Sequence, residues 1–253
     1  MIINPLVSII TPSYNSSQFI VETIKSVQAQ TYTNWEMLIT DDCSIDNSVE
    51  IIKKISEIDK RIKIFRLEKN SGAGPARNNS IKKAKGKYLA FLDSDDIWVS
   101  HKLETQIKFM EDNNVNFSHS SYGFLNEAGN KIRKPFIVSS FPIKYRDLLK
   151  RTEISCLTAI YNQNEIGKMY MPKLPRKQDY ALWLSILKKG YNSIPQQEVL
   201  AYYRQRKGSA TNKKSNLILK HYKFLRKQEK LSVFCSVKYT IYWICNGLLK
   251  YYL

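Results

Sequence analysis

The first 92 residues alternate between two hydrophobic patterns, and this alternation constrains the fold more than any other feature. Strand-like segments occur at 7–11, 35–40 and 87–92, which are largely apolar, and at 61–67, which alternates between charged and apolar residues, with helix-like stretches between them. The first such stretch, 19–30, carries apolar residues spaced as on one face of a helix. Strands that alternate with helices predict a parallel sheet with crossover helices. In sheets of this kind, ligands bind at the carboxyl ends of the strands.

Acidic residues follow two of these predicted strands. Asp41 and Asp42 end the second strand, and the fourth strand runs into AFLDSDDIW, which contains Asp93, Asp95 and Asp96. One of these carboxylates is explained as the cap of a following helix. Three together repel one another and raise their own pKa values. A bound Mg²⁺ or Mn²⁺ would remove the electrostatic cost of this repulsion, and substrate phosphates commonly complete the ligand shell of such an ion. The pattern therefore predicts a metal-assisted phosphate site.

The remainder of the chain is less regular. Helices are predicted at 100–112 and 178–190, the latter ending at a glycine. Short strands broken by polar turns are predicted across 115–161, with one short helix near 145–150, and a further strand at 199–204.

The chain resembles glycosyltransferase family 2 in five segments, which are VSIITPSYN, ITDDCSID, GAGPARN, GKYLAFLDSDD and QDYALWL. The resemblance runs from residue 6 to about residue 210. It implies an α/β protein of the GT-A fold, with a Rossmann-like nucleotide-binding half and a mixed central sheet. The chain is most similar to bacterial enzymes that build O-antigen, lipopolysaccharide or capsule repeat units. The implied activity is a metal-dependent, inverting hexosyl transfer from a UDP-sugar.

The resemblance also implies which residues bind the nucleotide. Asp42 would accept a hydrogen bond from the uracil N3–H, a role that suits an acceptor-only carboxylate. The alternatives are a turn residue for Asp42 and a surface charge for Arg77. Arg206 and Lys207 are interpreted as solvated charges. The implied nucleotide-binding residues are Pro12, Tyr14, Asp42, Arg77, Asp93, Arg204 and Ser209.

Metal and sugar contacts are implied around the aspartates. Asp95 is the expected principal ligand of Mn²⁺ or Mg²⁺, and Asp93 completes the shell or contacts the ribose. Asp96 is expected to orient the donor sugar or the acceptor. Trp98 is expected to stack on the acceptor sugar, whereas Trp183 is predicted to lie in the core.

The catalytic base is assigned by resemblance to Asp179, which would remove the proton of the acceptor hydroxyl. We expect the amino terminus of its helix to favour the ionised carboxylate. An ordinary first-turn acid is the alternative. Many relatives have Glu before this Asp, whereas this chain has Gln178, which is expected to alter acceptor contacts.

Positive charge is concentrated near the carboxyl terminus. The formal net charge is +18, and from Arg204 onward twelve Lys and Arg residues face a single acid, Glu229. Such a segment indicates a polyanionic partner, either a membrane surface or a nucleic acid, or nothing more specific than solubility. No helix-turn-helix, RNP or zinc pattern supports a nucleic acid in that role. The four cysteines show no paired spacing and the first residues show no basic leader, so we expect a cytoplasmic protein with reduced thiols.

We expect a glycosyltransferase domain at 1–212, divided into a nucleotide-binding half, 1–99, and an acceptor half, 100–212. A basic amphipathic helical tail is expected at 213–253. Lys238 interrupts its apolar stretch, and a lysine in mid-membrane costs about 2.5–3.5 kcal/mol. The tail is therefore predicted to lie on the inner face of the plasma membrane. The alternative is a tail packed on the body or on a second subunit.

The sequence thus predicts transfer of a hexose, glucose or galactose, from a UDP-sugar to a hydroxyl of an undecaprenyl-diphosphate-linked saccharide. One alternative is a catalytically silent nucleotide-sugar-binding relative, and another is a basic nucleic-acid-binding protein. A sugar-nucleotide pyrophosphorylase would need a glycine- and arginine-rich phosphate loop after the first strand, and TPSYNSS is not one.

Overall fold

A computed structural model describes residues 4–206 and 217–252, with side chains up to residue 247. The described part contains a mixed sheet of eight strands. The strands are β1 (Val7–Ser13), β2 (Trp35–Asp41), β3 (Ile62–Arg66), β4 (Tyr88–Phe91), β5 (Ile97–Trp98), β6 (Phe117–Leu125), β7 (Ile160–Asn162) and β8 (Ile194–Arg204). The helices are α1 (Ile20–Gln28), α2 (Ser48–Ile58), α3 (Ala73–Lys83), α4 (Lys102–Asp112), α5 (Tyr145–Lys150), α6 (Gln163–Ile166), α7 (Gln178–Lys188), α8 (Leu217–Lys227) and α9 (Val233–Tyr252).

The sheet has the strand order β3-β2-β1-β4-β7-β6-β8-β5. The first four strands in this order are parallel, as the alternation of strands and helices predicts. Strand β7 is antiparallel to both β4 and β6, while β8 is parallel to β6 and antiparallel to β5. The predicted mixed α/β sheet is therefore the observed architecture.

A hydrophobic core covers each face of the sheet. Successive residues of a strand point to opposite faces, and accordingly Ile9 and Ile10 belong to different clusters. Trp183 of α7 is fully buried and meets Phe91 edge-on at a ring distance of 5.1 Å. Its predicted place in the core is confirmed.

The strand register brings polar residues together at one edge. Ser13 lies opposite Asp41, and the amide of Asp42 donates to the carbonyl of Ser13 at 2.8 Å. On the other side of β1, the amide of Leu92 donates to the carbonyl of Ile10 at 3.1 Å. Both groups of aspartates thus follow strands that end at the same edge, where ligands of parallel sheets bind.

Helices α8 and α9 pack against the rest of the protein. Leu225 of α8 is fully buried in the same core cluster as Trp183. Glu229, between the two helices, accepts hydrogen bonds from Lys188 and Tyr145, each at 2.7 Å. Within the described ranges, no helix combines the length and the apolarity that crossing a membrane requires.

Candidate active site

An arginine and an aspartate form a buried ion pair at the carboxyl edge of the sheet. Arg77 lies on α3, and its Nη2 donates to Oδ1 of Asp93, just after β4, at 2.5 Å. The Arg77 side chain is 7% exposed and that of Asp93 is 31% exposed. Burial disfavours the charge on Arg77, but Asp93 and Asp179 together raise its pKa above the ordinary value. The surface-charge alternative for Arg77 is therefore wrong.

Asp179 lies in the first turn of α7 and is half-buried. Burial raises its pKa above the ordinary value, and Arg77 opposes this rise. The amide of Tyr180 also favours the ionised carboxylate, as expected of a helix amino terminus, but burial outweighs it. Asp93 further raises the pKa of Asp179. Arg77 thus interacts electrostatically with both carboxylates, one after β4 and one at the start of α7.

Asp95 is paired with an arginine from the end of β8. The Nε of Arg206 lies 2.7 Å from Oδ2 of Asp95, whose side chain is 16% exposed. Burial and the neighbouring Asp93 raise the pKa of Asp95, whereas Arg206 lowers it. The interpretation of Arg206 as a solvated charge is wrong. Its position just two residues beyond the end of β8 is a signal in the sequence that could have indicated this contact.

Asp96 is not available to a sugar. It is 1% exposed, and its Oδ1 accepts a hydrogen bond from the backbone amide of Arg204 at 2.9 Å. Burial and the charges of Asp95 and Asp93 raise its pKa well above the ordinary value. The expected sugar-orienting role is therefore corrected, because this side chain points inward and joins the aspartate turn to β8.

Arg204 does not present its guanidinium to a phosphate. The side chain is 1% exposed. Its Nε donates to the carbonyl of Asp95 at 2.8 Å, Nη1 donates to the carbonyl of Glu127 at 3.0 Å, and Nη2 pairs with Glu22 at 2.6 Å. The expected phosphate contact is corrected, since protein acceptors already occupy these donors. Ser209, expected beside it, lies outside the described residues.

Trp98 is a core residue. It is 3% exposed, and its indole N–H donates to the carbonyl of Leu157 at 2.8 Å. Stacking on a sugar requires an accessible ring face, so the expected acceptor contact is corrected.

Tyr14, by contrast, is 45% exposed at the end of β1, next to the buried Pro12. Gln178 is half-buried and donates to the carbonyl of Leu174 at 2.6 Å.

Asp42 binds the loop before α3. Its two carboxylate oxygens accept hydrogen bonds from the amides of Ser71 and Gly72, each at 2.7 Å. Gly72 has a φ of +91°, a conformation that side chains disfavour. Each carboxylate oxygen keeps a second lone pair, but the residue is only 3% exposed, so contact with a ligand would require the loop at Ser71 and Gly72 to move. The uracil contact of Asp42 stays a prediction.

The aspartates offer the oxygen chemistry of a divalent cation. Among the described residues, no cluster of three or more potential metal ligands is preassembled. Asp93 and Asp95 are partly exposed, and each is paired with an arginine. Their carboxylates suit Mg²⁺ or Mn²⁺, whose remaining positions are commonly filled by substrate phosphates and water. The two side chains fit this role if the ion displaces the arginine contacts.

The family model described as glycosyl transferase family 2 matches residues 8–165. The chain is 41% identical over 240 residues to a putative teichuronic acid biosynthesis glycosyltransferase, TuaG, of Bacillus subtilis, covering 93% of this chain and 95% of the relative. It is 39% identical to the Escherichia coli UDP-Glc:alpha-D-GlcNAc-diphosphoundecaprenol beta-1,3-glucosyltransferase WfaP, with 97% and 95% covered.

Among solved structures, the chain is similar to TarS of S. aureus, residues 1–349, in complex with UDP-GlcNAc. The TM-score is 0.71 and the identity is 21%, covering 92% of this chain and 70% of that chain. At this identity the likeness concerns the fold, and it agrees with the expected GT-A architecture.

Proposed function

Because the chain belongs to glycosyl transferase family 2, and is a glycosyltransferase, we propose that it transfers glucose from UDP-glucose, with inversion, to a lipid-linked saccharide. The observation that carries this proposal is the placement of Arg77, which interacts with both Asp93 and Asp179. A carboxylate suited to the donor side and one suited to the acceptor side are therefore both close enough to Arg77 to interact with it electrostatically. The choice of glucose rests on the activity of the Escherichia coli relative WfaP, and galactose is the second donor to test.

Donor binding is assigned to the carboxyl edge of the sheet. Tyr14 would pack against the uracil, and Asp42 would accept its N3–H with a free lone pair. Asp95 and Asp93 would hold Mg²⁺ or Mn²⁺. When bound, the ion neutralises charge that develops on the diphosphate as the leaving group departs. Arg206 pairs with Asp95 in this structure, and with the ion bound its guanidinium would be available to donate to a phosphate oxygen.

Asp179 is assigned the role of general base. The acceptor hydroxyl oxygen forms a bond to the anomeric carbon, the bond from that carbon to the diphosphate oxygen breaks, and the hydroxyl proton moves to Asp179. A single displacement of this kind inverts the anomeric centre. Burial raises the pKa of Asp179, which strengthens it as a base, and a positioned base contributes about 10²–10⁴-fold to the rate.

The acceptor is proposed to be a diphosphoundecaprenol-linked sugar at the inner face of the plasma membrane. The exposed side of α8 and α9 supports this location. Phe234 is 77% exposed, Ile241 55% and Ile218 53%, and lysines and arginines flank them. Apolar side chains with basic neighbours are the composition of helices that lie on anionic membranes. The opposite side of α8 packs on the protein, so this proposal concerns one face of the tail only.

The proposed function is tested by measuring UDP release from UDP-glucose and UDP-galactose with a synthetic GlcNAc-diphospholipid acceptor. Release should require the acceptor and Mn²⁺ or Mg²⁺, and a chelator should abolish it. The Asp112→Asn variant, a change in an exposed ion pair on α4, is the matched control and should act like the wild type. Release that persists in chelator would contradict the metal-assisted mechanism, and release without acceptor would contradict the assigned acceptor.

A further inference from the structure

The residue before the helix that carries Asp179 has an unusual conformation. Lys177 has a φ of +61° and a ψ of 29°, in the left-handed region that non-glycine residues rarely adopt. Its carbonyl accepts the amide of Ala181 at 3.0 Å, which is one of the first hydrogen bonds of α7. The geometry of Lys177 therefore sets where α7 begins, and with it the direction of the Asp179 side chain. Such a conformation persists only where surrounding contacts hold it.

Those contacts come largely from the two C-terminal helices. The Lys177 ammonium lies 4.8 Å from the ring centroid of Trp243 on α9, and 5.6 Å from that of Phe224 on α8. Tyr180 of α7 completes the enclosure, also at 5.6 Å. The ammonium is hydrogen-bonded to Nδ1 of His221 on α8. A cation among aromatic faces is attracted by their electron density, most strongly where water is excluded.

His221 is held rigidly in this enclosure. It is fully buried, and its ring stacks on Trp243 with centroids 4.4 Å apart and 18° between planes. The Trp243 indole N–H donates to Oγ1 of Thr152 at 3.0 Å, which fixes α9 to the body. Burial and the charge of Lys177 lower the pKa of His221 to about 3. The neutral ring can therefore accept a hydrogen bond from the Lys177 ammonium through Nδ1.

We propose that His221 is a positioning residue, by which the C-terminal helices hold Lys177 in its left-handed conformation and so orient Asp179. This inference rests on the proposed function of Asp179 as the base. It gives the tail a second role besides contact with a membrane, because the same helices then determine the geometry of the active site. Loss of the tail contact should slow transfer even to an acceptor free in solution.

The test compares three variants with a short-chain, soluble acceptor, which removes any effect of membrane contact. His221→Ala should lower kcat by about tenfold to a hundredfold, as expected of a misplaced catalytic group, while KM for the UDP-sugar stays within about twofold of the wild type. His221→Asn places an amide oxygen near the position of Nδ1 and should restore most of kcat. Lys177→Met, which removes the donor, should reproduce the loss.

Glu229→Gln is the matched control. Glu229 ties the tail to Lys188, at the other end of α7. This variant should lower the melting temperature as His221→Ala does, but leave kcat unchanged. An equal loss of kcat in Glu229→Gln would overturn the proposal, because tail docking in general would then be responsible. Wild-type kcat in both His221→Ala and Lys177→Met would overturn it as well. If His221→Ala does not fold, Lys177→Met decides alone.

A second readout separates this inference from the proposed function. Burial lowers the pKa of Lys177 to about 8, and NMR of ¹³C-labelled lysine can follow its titration. In His221→Ala, water enters the enclosure and the titration should move toward the ordinary lysine value, whereas His221→Asn should retain it. If the wild type released no UDP with any donor, the proposed function would fail, and the titration would still test the contact. An unmoved titration in His221→Ala would refute the contact itself.

Discussion

Arg77 and Asp93 form an ion pair, and we expect removal of Asp93 to destabilise the protein more than removal of Arg77. Asp93→Asn leaves a guanidinium that is only 7% exposed, whereas Arg77→Met leaves a carboxylate that is 31% exposed and reached by water. Breaking a buried pair by removing one partner costs about 3–5 kcal/mol, because the remaining charge is uncompensated. Asp179 still faces Arg77, so we expect the lower end, about 3 kcal/mol, for Asp93→Asn.

For Arg77→Met the expected loss is about 1 kcal/mol, because the desolvated cation is gone, Asp93 is partly hydrated, and Asp179, whose pKa is already raised, can relieve the remaining repulsion by taking up a proton. At about 2–4 °C per kcal/mol for a chain of this size, Asp93→Asn should lower Tm by about 6–12 °C. Urea unfolding and thermal melting in chelating buffer measure both variants without bound metal.

The matched control for this comparison is the exposed pair Lys108–Asp112, which has an N–O distance of 2.7 Å but side chains that are 74% and 57% exposed. Asp112→Asn should change stability by less than about 0.5 kcal/mol. The reasoning is refuted if Arg77→Met destabilises the protein more than Asp93→Asn does, or if Asp93→Asn costs no more than Asp112→Asn.

The raised pKa of Asp179, the burial of Trp98 and the exposure of Phe234 each have a measurable consequence. Burial raises the pKa of Asp179, so its ionised form is lost as the pH falls. The value of kcat should therefore rise with pH, with a midpoint above the ordinary aspartate pKa. A kcat that does not fall as the pH is lowered to about 4 would count against Asp179 as the base. Trp98→Ala should lower the free energy of unfolding by about 3–5 kcal/mol without altering KM for the acceptor, because the indole fills the core. If the variant is fully folded and its acceptor KM is raised more than about fivefold, Trp98 does stack on the sugar. Phe234→Ser should weaken cosedimentation with anionic vesicles relative to Ile58→Ser, which removes an apolar group that is 87% exposed and far along the chain from the tail. Equal binding by the two variants would show that Phe234 of α9 does not contact the membrane.

Sequence periodicity predicted the elements that position the site. The alternating segment at 61–67 became β3, Ile62–Arg66, and the helix expected near 145–150 became α5, Tyr145–Lys150. These patterns are local, because they depend only on which face of a strand or helix is buried. The edge that carries Asp42 and Asp93 follows from them once the first strands are parallel.

The errors concern contacts between residues far apart in the sequence. Trp98, Asp96 and Arg204 were expected at the ligand, but the pairing of β5 with β8 turns them inward. Arg206 reaches Asp95 by the same pairing. No local pattern shows which side of a polar turn another strand will cover. His221 was likewise missed, because helical spacing says nothing about which body residue a tail helix will contact.

The central claim is that Asp95 and Asp179 act in one cleft but on different partners. The most direct test is the affinity for UDP-glucose, measured by calorimetry with Mn²⁺ and again with chelator, in Asp95→Ala and Asp179→Asn, alongside transfer assays of both. We expect Asp95→Ala to lose the metal-dependent part of donor affinity, and Asp179→Asn to bind donor nearly as the wild type does while transfer falls by about 10²–10⁴-fold. Equal loss of donor affinity in the two variants, or transfer retained in Asp179→Asn, would contradict the account.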